Sequence, residues 1–452
     1  MENIHIYHTN DLHSHFENWP RIIELFRKRK QWHTEAGDAV FLFDIGDHLD
    51  LSHPYTEATQ GRGNASLLES EQFDAVTIGN NEGITLPFAA LDHLYDDATY
   101  DVIVANLFYA NGIRPDWCIP HKIYVTDQGT RIGVIGLTAY FHTLYELLGW
   151  KLSVPFQALR EQLALLQGKT DIIVVLSHLG INDDEQMAEI FPEVDIILGA
   201  HTHHILHQGK LIKNSLLAAA GKYGQYAGHI EIKYDPATKK VLDKRAEVYD
   251  TNKLPLANKE EEYIENLYLE GKKALSEEVL SLNKSLPKQE IAGLLCDAVL
   301  KWCNADVSIL NEGLILDDLS KGCVSFYDLL SICPHPINPC TVILTGAELK
   351  EVLTDMKRDS WETLPVKGLG FRGTLMGKMI SKGVKSEVEG QITSYWINGQ
   401  QLNPKTNYTV AIPDMFTFGD FFPSIYRATE KQYFLPEFMR NILAEALKRS
   451  QK

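Results

Sequence analysis

The chain has few cysteines, a deficit of basic residues and no long apolar run. Its six cysteines (Cys118, Cys296, Cys303, Cys323, Cys333, Cys340) form no C-x-x-C pair, so reduced core thiols are expected rather than disulfides or a zinc ribbon. Lysine and arginine total 43 against 60 aspartates and glutamates, a net charge of −17. That removes the basic face by which nucleic acid and anionic membranes are bound. Small phosphorylated partners stay open, because a bound divalent cation reverses the local field whatever the net charge. No stretch approaches the ~18 uninterrupted apolar residues of a membrane span. The opening MENIHIYHTND lacks a basic segment followed by an apolar one, so no export signal is expected and the location read from the sequence is cytoplasmic. Internal repeats and low-complexity tracts are also missing.

What remains is the composition of an ordinary globular protein, with 44% hydrophobic and 23% charged residues over 452 positions. That length suits two domains. From 1 to about 250, β-branched runs alternate with helical patterns as in α/β packing. The runs are IHIYH (4–8), VFLFD (40–44), FDAVTI (73–78), DVIVAN (101–106), RIGVIGL (131–137), DIIVVL (171–176) and DIILG (195–199), followed by SLLAAAG, HIEIKY and RAEVYD. A charged helical stretch over 251–285 reads as a connecting helix, and 286–452 as a second α/β domain with helices over 289–303 and 346–357.

Five of the apolar runs end in metal-binding residue types. Asp11 and His13 follow the first, Asp47 the second, Asn80 the third, His178 the run IIVVLS, and His201 and His203 the run IILGA. Ligands of α/β sheets gather beyond the carboxyl ends of strands, so the loops can converge on one point. Taken singly, an Asp before a turn is usually a cap and an Asn after Gly a turn residue. Their common placement at strand ends is what outweighs those readings. Carboxylate, imidazole and amide donors without thiolate suit Zn, Mn, Fe or Co, and seven donors exceed one tetrahedral shell and fit two ions.

The ordered set D-x-H, G-D, G-N, S-H and G-x-H-x-H resembles the calcineurin-like metallophosphoesterases, and HTNDLHSHF with a second domain of this length resembles their 5′-nucleotidase-like group. The resemblance implies an N-terminal four-layer α/β/β/α sandwich carrying two divalent ions, plus a C-terminal α/β substrate-binding domain. It implies that Asp11, His13 and His203 hold one ion, that Asn80, His178 and His201 hold the other, and that Asp47 bridges them. Hydroxide held by the metals would then hydrolyse a phosphomonoester or phosphoanhydride of a nucleotide-like substrate. Asn106 matches a family position near the site, as a supporting residue grouped with the substrate-binding candidates. His15, His48 and His204 are extra imidazoles nearby.

The chain departs from the family pattern in three places. Family members write G-N-H-[ED], with a phosphate-facing histidine oriented by an aspartate three residues on; here those positions are Asn81 and Ile84. An amide donates a hydrogen bond but carries no proton to a leaving group, so Asn81, with His48 or Glu82 recruited, is the catalytic candidate. The family's N-x-G-x-I-R reads NEGLIL, with Leu316 in place of arginine. The family's N-D-F-x-x-x-G-G-D segment is shortened to PDMFTFGDFF, so Phe416 and Phe418, with Phe371 and Arg372 of GLGFRG, are the candidate substrate contacts. Two readings stay open: a hydrolase tolerant of the missing dyad, and a catalytically weakened nucleotide-binding sensor that keeps its metals.

Overall fold

The computed structural model describes residues 1–389 and 392–450. Two compact units divide at Gly271 and Lys272.

The first unit stacks two six-stranded sheets. One runs in the order Lys240–Asp250, Tyr226–Asp235, Glu2–Thr9, Ala39–Asp44, Ala75–Val76, Asp101–Val102; the other runs Lys210–Ile212, Ser215–Ala218, Ile196–Gly199, Ile172–Ser177, Arg131–Leu137, His121–Val125. The inner strands pair in parallel and the long 226–250 hairpin closes one edge antiparallel. Alternation decides the layers. Ile4, Ile6, Phe41 and Phe43 of the first sheet share one core with Val134, Val174 and Ile196 of the second, so these side chains meet between the sheets. The opposite face of the second sheet packs Ile135, Val175 and Ile197 against Leu159, Leu163, Met187 and Ala188 of helices Pro155–Leu166 and Ile181–Ile190. On the outer face of the first sheet, Tyr7 meets Phe26 of helix Trp19–Ala36. The expected α/β/β/α layering is therefore present. The expected strands over 73–78 and 101–106 shrink to Ala75–Val76 and Asp101–Val102, because the chain leaves the ladder early to form loops.

The second unit centres on a five-stranded sheet, Met379–Lys382, Val307–Asn311, Asn407–Pro413, Pro339–Thr345, Lys431–Tyr433. Helix Lys288–Trp302 places Ile291, Leu295 and Val299 in its core, and helix Met439–Ser450 adds Ile442, Leu443 and Leu447. No described helix is long and apolar enough to cross a membrane.

Candidate metal centre

The five polar segments leave the carboxyl ends of strands Glu2–Thr9, Ala39–Asp44, Ala75–Val76, Ile172–Ser177 and Ile196–Gly199. Main-chain hydrogen bonds lock the first two loops together: Asp11 N–H donates to Gly46 O (3.0 Å), His13 N–H to Asp47 O (2.8 Å) and Ser14 N–H to His48 O (2.9 Å). Asp11, His13, Asp47, His201 and His203 all take left-handed backbone conformations. Such conformations cost of order 1–3 kcal/mol each for ordinary residues and persist only where the surroundings enforce them. The glycines of G-D and G-N are steric necessities. A Cβ at Gly46 would strike the backbone at Ile78 and Gly79, and one at Gly79 would strike the Asp47 carboxylate and the His178 ring.

Two donor groups result: Asp11, His13 and His203, and Asp11, Asp47 and His178. His203 Nε2 lies 3.5 Å from Asp11 Oδ1 and 3.2 Å from His13 Nε2. Asp47 Oδ2 sits between the groups, 3.7 Å from His13 Nε2 and 3.4 Å from His178 Nε2. His201 Nδ1 is 2.8 Å from Asn80 Oδ1, and its ring stands 5.4 Å from that of His178. All seven sequence-selected donors are thus linked in one network. Most separations are too long for good hydrogen bonds but match neighbouring ligands around an ion with bonds near 2.0–2.2 Å.

The donors fit a divalent metal pair on a second count. His178 Nδ1 faces the Ile45 carbonyl at 2.6 Å, which fixes the tautomer and turns the lone pair of Nε2 inward. That Nε2 is fully buried and has no hydrogen-bond partner. Burial opposes charge on His178, but the Asp47 and Asp11 carboxylates outweigh it and raise its pKa, so a cation at Nε2, whether proton or metal, is favoured. Burial likewise opposes the Asp47 carboxylate, yet His178 and His13 hold it below the usual range. The carboxylates here stabilise whatever positive charge is placed among them.

The remaining candidates are placed differently. Asn81 is buried, its Nδ2 2.9 Å from Leu49 O and 3.0 Å from His13 Nδ1. Its amide is spent on the protein and steadies the His13 ring, which corrects the expectation that it reaches a substrate. Glu82 is likewise committed, accepting from the backbone N–H groups of Gly79, Asp47 and Leu49. It ties the Asp47 and Asn80 loops together, a role that the spacing G-N-x-E could have suggested. His48 is buried edge-on to Trp19 with Nε2 unpartnered, and burial lowers its pKa to about 3. The enclosed ring turns no nitrogen toward the donor groups' ion-facing atoms, and we leave it out of the catalytic reading. Asn106 exchanges both amide groups with the backbone of Thr138 and acts as a bracket between loops, not a substrate contact. Phe416 is fully buried against Phe421 and Phe422 and leaves the substrate-contact set. Phe371 has one face covered by His335, the rings stacked at 4.8 Å, and Arg372 N–H donates to that histidine's Nδ1 (2.8 Å). Phe418 differs, being 39% exposed and stacked on Tyr433. Sequence reasoning missed Phe141 and Tyr223, which stand edge-on to His201 and His13.

A family model for the calcineurin-like phosphoesterases matches residues 4–204, and one for the 5′-nucleotidase C-terminal domain matches 272–424. The chain is 43% identical to the metallophosphoesterase YunD of Bacillus subtilis, covering 98% of each. It is 22% identical to a 5′-nucleotidase of Diplobatis ommata over 85% of this chain and 76% of that one. In fold it is similar to a putative 5′-nucleotidase of Staphylococcus aureus solved in complex with alpha-ketoglutarate, with TM-score 0.68 and 19% identity over 99% and 97% of the two chains.

Proposed function

We propose, from the premise that this chain belongs to the calcineurin-like phosphoesterases with a 5′-nucleotidase C-terminal domain, that it hydrolyses a phosphoanhydride or phosphomonoester of a nucleotide-like substrate. The enzyme class, a metal-dependent phosphoesterase of 5′-nucleotidase type, comes with the family. The observation that carries the reading is the convergence of seven donors from five strand ends, with His178 Nε2 buried, unpartnered and aimed inward.

In this reading Asp11, His13 and His203 would hold one divalent ion and Asn80, His178 and His201 the second, with Asp47 placed to serve both. Such a pair, when bound, polarises a phosphoryl oxygen and lowers the pKa of water at the site. The chain's own residues do the rest. Ile45 O orients His178, Asn81 steadies His13, and Glu82 holds the two loops in register. With Asn81 committed and Ile84 in place of a carboxylate, no imidazole dyad delivers a proton to the leaving group. That favours substrates whose leaving group departs as a stable anion, so phosphoanhydrides rank ahead of monoesters. In the second unit the exposed ring of Phe418 is the group we assign to stacking a base. Six free cysteines fit a reducing cytoplasm, and a nucleotide-like substrate would place the activity in nucleotide catabolism.

The test is phosphate release from nucleoside mono-, di- and triphosphates by protein loaded with Mn or Zn. Turnover of anhydrides above monoesters is expected. Nucleotide binding without phosphate release would overturn the hydrolase and leave the sensor reading.

A further inference from the structure

A second group of buried imidazoles lies away from this centre, on the outer face of the first sheet. His5 and Tyr7 alternate with Ile4 and Ile6 along strand Glu2–Thr9, so they face the first helix instead of the inter-sheet core. His229 arrives from the neighbouring strand Tyr226–Asp235, and His33 from the last turn of helix Trp19–Ala36. All three are buried, and each can offer one nitrogen within 4.8 Å of the other two. His5 sits six positions before Asp11, with four of those steps along the strand at about 3.3 Å per residue, so the two groups are separate sites.

The surroundings of the three rings are arranged as around a metal. Glu247 Oε1 lies 3.0 Å from His229 Nδ1, on the outer edge of that ring, leaving Nε2 turned inward. Tyr7 Oη lies 3.0 Å from His33 Nε2, leaving Nδ1 inward. Asp38 follows the helix, where Gly37 takes a left-handed backbone. Its Oδ1 accepts from Asn3 Nδ2 (3.1 Å), while Oδ2 stands 3.5 Å from both His5 Nε2 and His33 Nδ1. Those separations repeat the spacing among the donors of the first centre. Tying the outer atoms of His229, His33 and Asp38 to an oxygen or amide partner fixes tautomer and direction in metal sites, while both His5 nitrogens face other members of the cluster. His5 Nδ1 lies 3.0 Å from His229 Nε2, a hydrogen bond in which one of the two nitrogens carries the proton, and a bound ion would take that proton's place.

We propose that His5, His33 and His229, with Asp38, form a third divalent-metal site, of zinc class, that fastens the end of the first helix to the first sheet. Three imidazoles and one carboxylate make the donor set of a four-coordinate ion. His5 is stacked on His33 with ring centroids 3.5 Å apart, so binding requires the His5 ring to turn out of the stack.

The experiment uses the full chain with both donor groups of the first centre disabled by Asp11→Asn, Asp47→Asn and His178→Ala. After equilibration with zinc and gel filtration, elemental analysis is expected to find about one equivalent per chain. Cobalt in its place is expected to give the visible absorption of a four-coordinate centre. Adding His33→Gln removes both signals. Should that variant not fold, Glu247→Gln keeps every ligand and is expected to weaken zinc affinity by about 10- to 100-fold. A folded parent variant that retains no zinc overturns the site, as does retention unchanged by His33→Gln or affinity unchanged by Glu247→Gln. None of these readouts depends on phosphate release, so the proposed hydrolytic activity can fail without deciding this site.

Discussion

The two units treat their conspicuous residues in opposite ways. In the first, polar side chains are buried beyond strand ends on left-handed backbone, where a lone carboxylate or imidazole has no folding reason to be. In the second, the conspicuous residues are aromatic, and Phe416 and Phe371 are simply core. A buried polar residue is informative because burial is costly unless something pairs with it. A buried phenylalanine is not, because burial is its ordinary state.

The largest break in that contrast comes from Asp47→Asn. Removing the carboxylate between the two donor groups is expected to cost several kcal/mol of transition-state stabilisation, about 1,000-fold or more in phosphate release. Elemental analysis should show the metal lost, and a folded variant that keeps full metal and rate would remove Asp47 from the centre. In the second unit the matching change is one of stability. Phe416→Ala should lower the free energy of unfolding by about 3–5 kcal/mol, measured by denaturant titration. Phe418→Ala should leave that value nearly unchanged while raising KM for nucleotides, and equal destabilisation by both would end the distinction between core and exposed ring.

Asn81→Ala sharpens the reading of the first unit. If the amide positions His13, metal affinity falls by about 10- to 100-fold, and activity recovers at high metal concentration. A kcat that stays low at saturating metal would return Asn81 to direct contact with the substrate. The smallest effect concerns pH. Burial raises the Asp414 carboxyl to about 7, only partly offset by backbone hydrogen bonds. The folded state therefore favours the protonated form. That stability is fully present below the unfolded pKa of about 4 and is lost as pH rises through about 7. Asp414→Asn should flatten the pH dependence of unfolding between those values, and an unchanged slope would place the titration elsewhere.

The metal-binding loops could be read from the sequence because each is tied to a strand end, and strand ends show as apolar runs that stop at G-D, G-N, S-H or G-A-H-T-H. Asn81 and His48, chosen for standing beside a ligand, and Asn106, taken from a family position, were misplaced because neither ground says which way a side chain turns. Each spends its polar atoms elsewhere or keeps them enclosed. The cluster of His5, His33 and His229 was missed because its members lie on two strands and a helix, spread over 224 positions, with no shared motif.

The sequence by itself determined the α/β class and the placing of seven candidate donors, because apolar runs alternating with helical patterns mark the strands and the strand's end fixes where its loop emerges. Only the tertiary structure decided which amides and rings are free to act. Side-chain direction depends on partners such as Leu49 O, Thr138 and Ile45 O, which the fold alone brings within hydrogen-bonding reach.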